Sequence, residues 1–304
     1  MYKAIVSKLG FGLFVICGIY TFLLMPLPWF PARPATGQAF DIQPSSQDNV
    51  TVRAYRSKPA TDNNIRVILV PSAGREASDF NELVTVLTGR GYETITIDGH
   101  GINGTDLPNF TDLLQVAQPV VELLEQDSKP TVLIGHAYGN RVVRAASSAR
   151  PGTLNGVILL AAGGYNEIEP RANHSLKSVF NPLIIALKRE GHVRQAFFAE
   201  RNHAQPLKHW KRGWHTKTAI MQGKAKVSVS DPNWESAGGV PMLVVQAAQD
   251  RIAPKKETAD VLKARFRDQV AVTVIENAGH AMLPEQPDAV AKAVLEFLAL
   301  YHPV

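Results

Sequence analysis

From residue 49 onward the chain alternates between two hydrophobic rhythms. Short, β-branched apolar runs occur at Val50–Tyr55, Ile65–Val70, Glu93–Ile97, Thr131–Ile134, Val157–Ala161, Met242–Gln246 and Val270–Ile275. Runs of this length and composition predict strands buried on both faces of a parallel sheet. Between them the apolar positions recur at helical spacing, predicting helices at Asp79–Thr88, Thr111–Glu125, Tyr138–Ala149, Lys255–Arg265 and Pro287–Leu300. Strand and helix in strict alternation predict an α/β fold: a mainly parallel, doubly wound sheet with right-handed crossovers. The rhythm breaks once, between Ala161 and Met242. That stretch holds helical pieces such as Ser175–Arg189 and no convincing strand, so residues from about 165 to 235 are expected to form an inserted helical lid. No internal repeat is present.

The first 48 residues follow a different pattern. Lys3 and Lys8 precede an apolar run from Leu9 to about Met25 that contains the single cysteine, Cys17. A positive segment before an apolar core marks membrane targeting, and this run is just long enough to span a bilayer. Trp29 and Phe30 fall where interfacial aromatics sit. Residues 1–30 are therefore expected to be a membrane anchor or a removed signal. The flanking lysines place that end in the cytoplasm and the body across the membrane, either anchored to a bacterial inner membrane facing the periplasm or exported. Residues 31–48, rich in Pro, Ala, Gly and Ser, read as a linker. The domain is expected over 49–302.

Composition narrows the chemistry. One cysteine excludes a disulfide framework or a CxxC metal site. The net charge of +5 is unevenly placed: from Tyr165 to Glu235 there are 12 Lys and Arg against 6 Asp and Glu, while the remainder is balanced to within one charge. This segment is either a solvated basic face or a surface for an anionic substrate or lipid head group. The histidines of HAQPLKHWKRGWH, His203, His209 and His215, match no zinc spacing. No cofactor and no nucleic-acid partner are expected.

The informative segment is TVLIGHAYGNRVV, residues 131–143. A strand runs into Gly135-His136-Ala137-Tyr138-Gly139 and then into a helix, the context of a nucleophile elbow, G-x-S-x-G. The glycines suit a sharp turn, and the central residue projects at a helix N-terminus, where developing negative charge is favoured. The hydroxyl is absent because that residue is Ala137. Asp250 lies in the loop after strand 242–246, and His280 in the loop after strand 270–275. The order of elbow, acid and histidine is that of a catalytic triad on such a sheet, with each group just beyond a strand's C-terminal end. An Asp accepting from the imidazole N–H would fix its tautomer. Ser72 and Ala73 follow strand 65–70, and the N–H groups of Ala73 and Tyr138 are the candidate oxyanion donors. Ser72 is either a displaced nucleophile or a turn hydroxyl bonded to backbone. His100, in the glycine-rich loop Asp98–Gly104, and His136 are candidate substrate contacts. Trp210 and Trp214, four apart, share a helix face and either roof an apolar pocket or pack the lid onto the core.

Residues 49–302 resemble the α/β-hydrolase superfamily, through the IDGHGING loop, GHAYG, QDRIAP and NAGHAMLPEQPD in that order. The departures are Pro71-Ser72, where many members have His-Gly, and Ala137 for serine. PSAGREASDF together with GHAYGNR is similar to a bacterial group with alanine at the elbow. That likeness implies a natural Ala137; replacement of a native serine is the alternative. The resemblance implies a hydrolase of carboxylic esters or related acyl compounds, with an anionic or apolar acyl small molecule as substrate. Two other readings stand beside it: a non-hydrolytic enzyme using His280 and Asp250 as a general base, and an inactive ligand-binding pseudo-hydrolase.

Overall fold

The computed structural model describes residues 33–163, 168–181, 184, 186–202, 210, 212–226 and 233–301. The apolar anchor-or-signal candidate at 1–30 lies outside the described residues, as do His203 and His209. Among the described residues no helix is long and apolar enough to cross a membrane.

One eight-stranded sheet organises the domain. Its strands are β1 (Gln38–Ile42), β2 (Val52–Ser57), β3 (Arg66–Val70), β4 (Glu93–Ile97), β5 (Thr131–His136), β6 (Leu154–Leu160), β7 (Met242–Ala247) and β8 (Val270–Ile275). Their spatial order is β1-β2-β4-β3-β5-β6-β7-β8. β1 and β2 pair antiparallel, as do β2 and β4, and every pairing from β4 across to β8 is parallel. The helices are α1 (Asn81–Gly89), α2 (Leu113–Glu125), α3 (Tyr138–Ala149), α4 (Pro170–Val179), α5 (Ala186–Phe197), α6 (Thr216–Lys224), α7 (Ala259–Phe266), α8 (Met282–Glu285) and α9 (Pro287–Leu298).

Strand alternation sends side chains to two separate cores. Ile68 and Val70 of β3 join α2 and α3 on one face. Val67 and Leu69 join α1 and α9 on the other. Local signals set the helix ends. Asp112 accepts the Leu114 N–H at 2.7 Å while Gln115 reaches back to the Asp112 N–H at 3.2 Å, a capping box for α2. Pro170 and Pro287 stand in the first turns of α4 and α9, where a missing N–H costs nothing.

Two expectations need correction. The segment read as a linker belongs to the domain, because Phe40 and Ile42 alternate with polar residues to make the edge strand β1 on β2. Arg33 ties its start to the core, donating to both carboxylate oxygens of Glu82 (2.6 and 2.5 Å) and to the Ser78 carbonyl. The helix expected at Ser175–Arg189 is two helices, since α4 ends at Val179 and α5 begins at Ala186.

The insertion between β6 and β7 carries α4, α5 and α6 and docks on the strands' C-terminal ends through a buried cation. Arg75 packs against the rings of both Trp210 (4.6 Å) and Trp214 (4.5 Å), which meet each other edge to face. It forms a two-pronged pair with Asp79 (2.8 and 2.5 Å) and donates to the carbonyls of Arg212 (2.6 Å) and Gly213 (3.1 Å). Removing one partner of such a pair strands the other charge in the interior. Arg75→Met is therefore expected to cost roughly 3–5 kcal/mol in urea unfolding. Arg75→Met combined with Asp79→Leu should recover part of that loss.

Candidate active site

The elbow is built as its motif requires. Ala137 holds φ 49° and ψ −110°, a strained conformation for a residue with a Cβ. A Cβ on Gly139 would stand 2.1 Å from the Val70 carbonyl oxygen, and one on Gly135 would stand 2.4 Å from the Gly139 backbone. Both positions must be glycine because α3 begins hard against β5 and the end of β3. Ala137 donates its N–H to Leu160 O at 2.9 Å, and its carbonyl accepts the Asn140 N–H at 3.1 Å and the Asn140 side-chain amide. Arg144, fully buried, holds that amide oxygen at 2.8 Å and stacks 4.3 Å over Trp234.

The same close approach lays the Pro71–Gly74 loop beside the first turn of α3. Neither Ala73 nor Tyr138 gives its N–H to a protein acceptor among the described residues. Loop position comes from the insertion: Gly74 donates to Gln222 Oε1 at 2.8 Å, and the His215 N–H reaches the Gly74 carbonyl at 2.8 Å.

The acid and the histidine meet. Asp250 Oδ2 lies 2.8 Å from His280 Nδ1, with both side chains buried. Oδ1 accepts the N–H groups of Ile252 (2.9 Å) and Ala253 (2.8 Å), which fixes the carboxylate. A carboxylate acceptor places the proton on Nδ1 and leaves Nε2 as the basic nitrogen of the neutral ring. Nε2 has no partner among the described residues. Around the ring, Gly279 donates to Glu285 at 2.7 Å and Ala281 to the Phe197 carbonyl at 2.8 Å. A Cβ on Gly279 would meet Phe197 O at 2.6 Å, so the end of α5 clamps the loop from above.

His136 joins elbow to histidine loop. Its Nε2 donates to the His280 carbonyl at 2.9 Å, and its ring lies 5.6 Å from that of His280. Complete burial, reinforced by the nearby His280, pushes its pKa down to about 3, so the ring is neutral and Nδ1 is an unpartnered acceptor. Its place is structural rather than on a substrate surface.

The other candidates divide. Trp210 and Trp214 are buried against Phe197 and Arg75, which is the packing alternative. Ser72 is buried, and its carbonyl accepts the Arg75 N–H at 3.1 Å. His100 lies edge-on to Phe110, on a cavity of about 20 Å³ shared with Pro71, Val142 and Gln222 that neither Asp250 nor His280 lines. His215 faces Glu76 at 2.6 Å. Arg75, Asp79, Gln222 and Glu285 were not singled out from the sequence. Only the i, i+4 spacing of Arg75 and Asp79 was there to be noticed.

Comparison with known proteins agrees with this fold. The family described as the Alpha/beta hydrolase family matches residues 67–293. The chain belongs to the alpha/beta hydrolase family. Within it, a pyrethroid hydrolase of Sphingobium wenxiniae is 22% identical over 253 residues, spanning 76% of this chain and 86% of that protein. A thermophilic esterase from Thermogutta terrifontis shares the fold at a TM-score of 0.66 and 20% identity, over 88% of this chain and 100% of the other. An esterase from Exiguobacterium antarcticum does so at 0.68 and 15%, over 86% and 100%.

Burial lowers the His100 pKa to about 4, well under its unfolded value near 6.5. A depressed histidine pKa means the unfolded chain takes up the proton first. His100's contribution to stability is then complete above pH 6.5 and is lost as pH falls towards 4. The stability gap between wild type and His100→Gln, measured by urea unfolding at several pH values, should close by about 1.4 kcal/mol per pH unit across that window.

Proposed function

We propose that the protein hydrolyses a carboxylic ester or a related acyl small molecule, with a water activated by His280 in place of the absent serine. The observation that carries this reading is the buried 2.8 Å contact between His280 Nδ1 and Asp250, which leaves Nε2 unprotonated and unpartnered. Nε2 takes a proton from water as its oxygen adds to the substrate carbonyl. The N–H groups of Ala73 and Tyr138 stabilise the resulting oxyanion. The imidazolium then protonates the leaving alkoxide, and acid and alcohol depart. Ala137, lacking a hydroxyl, leaves space where the nucleophile would stand. The likeness to a pyrethroid hydrolase and to two esterases supports this substrate class. Membrane attachment or export through residues 1–30 and cover of the site by the insertion belong to the same proposal.

The absence of a hydroxyl at Ala137 favours a second reading, in which the dyad abstracts a proton from carbon for elimination or isomerisation. A binding protein without catalysis gives no reason to keep the dyad.

Turnover is expected to be slow. Triad enzymes stripped of a member keep about 10³–10⁴-fold acceleration over water. The test is a panel of short and medium acyl esters, with wild type beside three variants. His280→Ala should abolish turnover, and Asp250→Asn should lower kcat by about 10²–10⁴-fold. Ala137→Ser should gain fluorophosphonate labelling that wild type lacks. Turnover that survives His280→Ala overturns the proposal, and turnover confined to Ala137→Ser moves the second reading ahead.

A further inference from the structure

A cavity of about 760 Å³ opens beside the acid loop, with Asp250 in its wall and the Asp250 carboxylate turned inward to His280. Arg171 from the first turn of α4, Arg194 from α5 and Arg251 from the acid loop line it, together with Glu169 and Glu200. By number these charges balance, but their commitments differ. Glu169 spends its carboxylate on the N-terminus of α4, accepting the N–H groups of Arg171 (3.2 Å) and Ala172 (3.1 Å). Asp250 is filled by His280 and two backbone N–H groups. Glu200 is 84% exposed and stands 3.5 Å from Arg251, a contact that water screens.

The cations are less committed. The Arg171 side chain has no hydrogen bond or ion pair among the described residues, and Arg251 has only its contact with Glu200. Arg194 contacts Glu190 at 2.9 Å and adds to the field rather than serving as a free ligand. Negative charge in the wall is thus turned to internal donors or to solvent, while guanidinium groups edge the opening. Planar, weakly hydrated guanidinium groups match the paired oxygens of a carboxylate or phosphate. The basic surplus of residues 165–235 has this cavity as one local expression.

We propose that this cavity holds an anionic group of the substrate, a carboxylate or phosphate carried by the acyl compound, with Arg171 and Arg251 as its ligands. This deepens the hydrolase reading and rests on it for the site's identity. The cavity shares the acid loop with the dyad, because Arg251 directly follows Asp250, while His280 and Ala137 are not in its wall.

Binding tests the proposal without requiring turnover. The full chain is titrated calorimetrically with glutaric acid monoanilide, with its neutral N-methylamide and with phenyl phosphate. One of the anionic probes should bind about a hundredfold tighter than the neutral amide, the worth of two charge-assisted hydrogen bonds, one from each arginine. Which anion binds tighter tells carboxylate from phosphate. Added salt should narrow the gap. Arg171→Gln and Arg251→Gln should each weaken the preferred anion by about tenfold and leave the neutral probe unchanged. Equal affinity for charged and neutral probes, wild-type affinity in both variants, or no anion binding at millimolar concentration would each overturn it. His280→Ala separates this inference from the functional reading. Anion binding retained while wild-type hydrolysis proves independent of His280 sinks the hydrolase mechanism alone. Hydrolysis that needs His280, without any preference for anions, sinks the cavity's role alone.

Discussion

The docking of the insertion depends on one buried guanidinium. Arg75 comes two residues after Ala73, so whatever fixes Arg75 also fixes the loop that carries the proposed oxyanion donor. Its charge is offset by Asp79 on the core side and by the carbonyls of Arg212 and Gly213 on the insertion side. Trp210 and Trp214, themselves in edge-to-face contact, both pack against it. A desolvated cation without those partners would be far more costly than an exposed one. Core loop and insertion are therefore coupled: neither can leave without stranding a charge. Gln222 on Gly74 and Phe197 on Ala281 extend that coupling to both sides of the dyad.

This arrangement explains which parts of the site were legible in the sequence. The elbow, the acid and the histidine each follow a buried strand, and strands of β-branched residues announce themselves locally. Glu93–Ile97, Tyr138–Ala149 and Val270–Ile275 have the bounds their patterns predict. The pairing of His280 with Asp250 followed from chain order, because the parallel crossovers bring successive loops to one edge. Arg75 gave no comparable signal. Its partners at 210–214 lie more than 130 positions away, and a basic residue after a strand reads as exposed. Glu285 is similar, a carboxylate in a short helix whose partners Ala199 and Asn202 come from the insertion. β1 was missed for another reason. Its apolar positions are only Phe40 and Ile42, and an edge strand closed by one antiparallel neighbour needs no more.

Two features of the site carry different weight as testimony about function. The elbow's backbone at Ala137 sits in a region that costs about 1–3 kcal/mol, which suggests a shape kept for catalysis. Yet Gly135, Gly139 and the Asn140–Arg144 network impose that shape whatever side chain stands at the turn. The strain is a property of the β5–α3 junction and is compatible with either serine or alanine. It speaks of the fold's ancestry more than of present chemistry.

The dyad is a different matter. Burying Asp250 and His280 together gains little stability over a well-packed apolar pair, because desolvation offsets most of the attraction. Nothing in the fold forces an imidazole to face the carboxylate there with its second nitrogen unpaired. Two residues kept in an arrangement that packing does not require are better explained by a proton that moves. On the hydrolase proposal, chemistry at this site follows from the imidazole and its carboxylate, with water attacking in place of the missing hydroxyl.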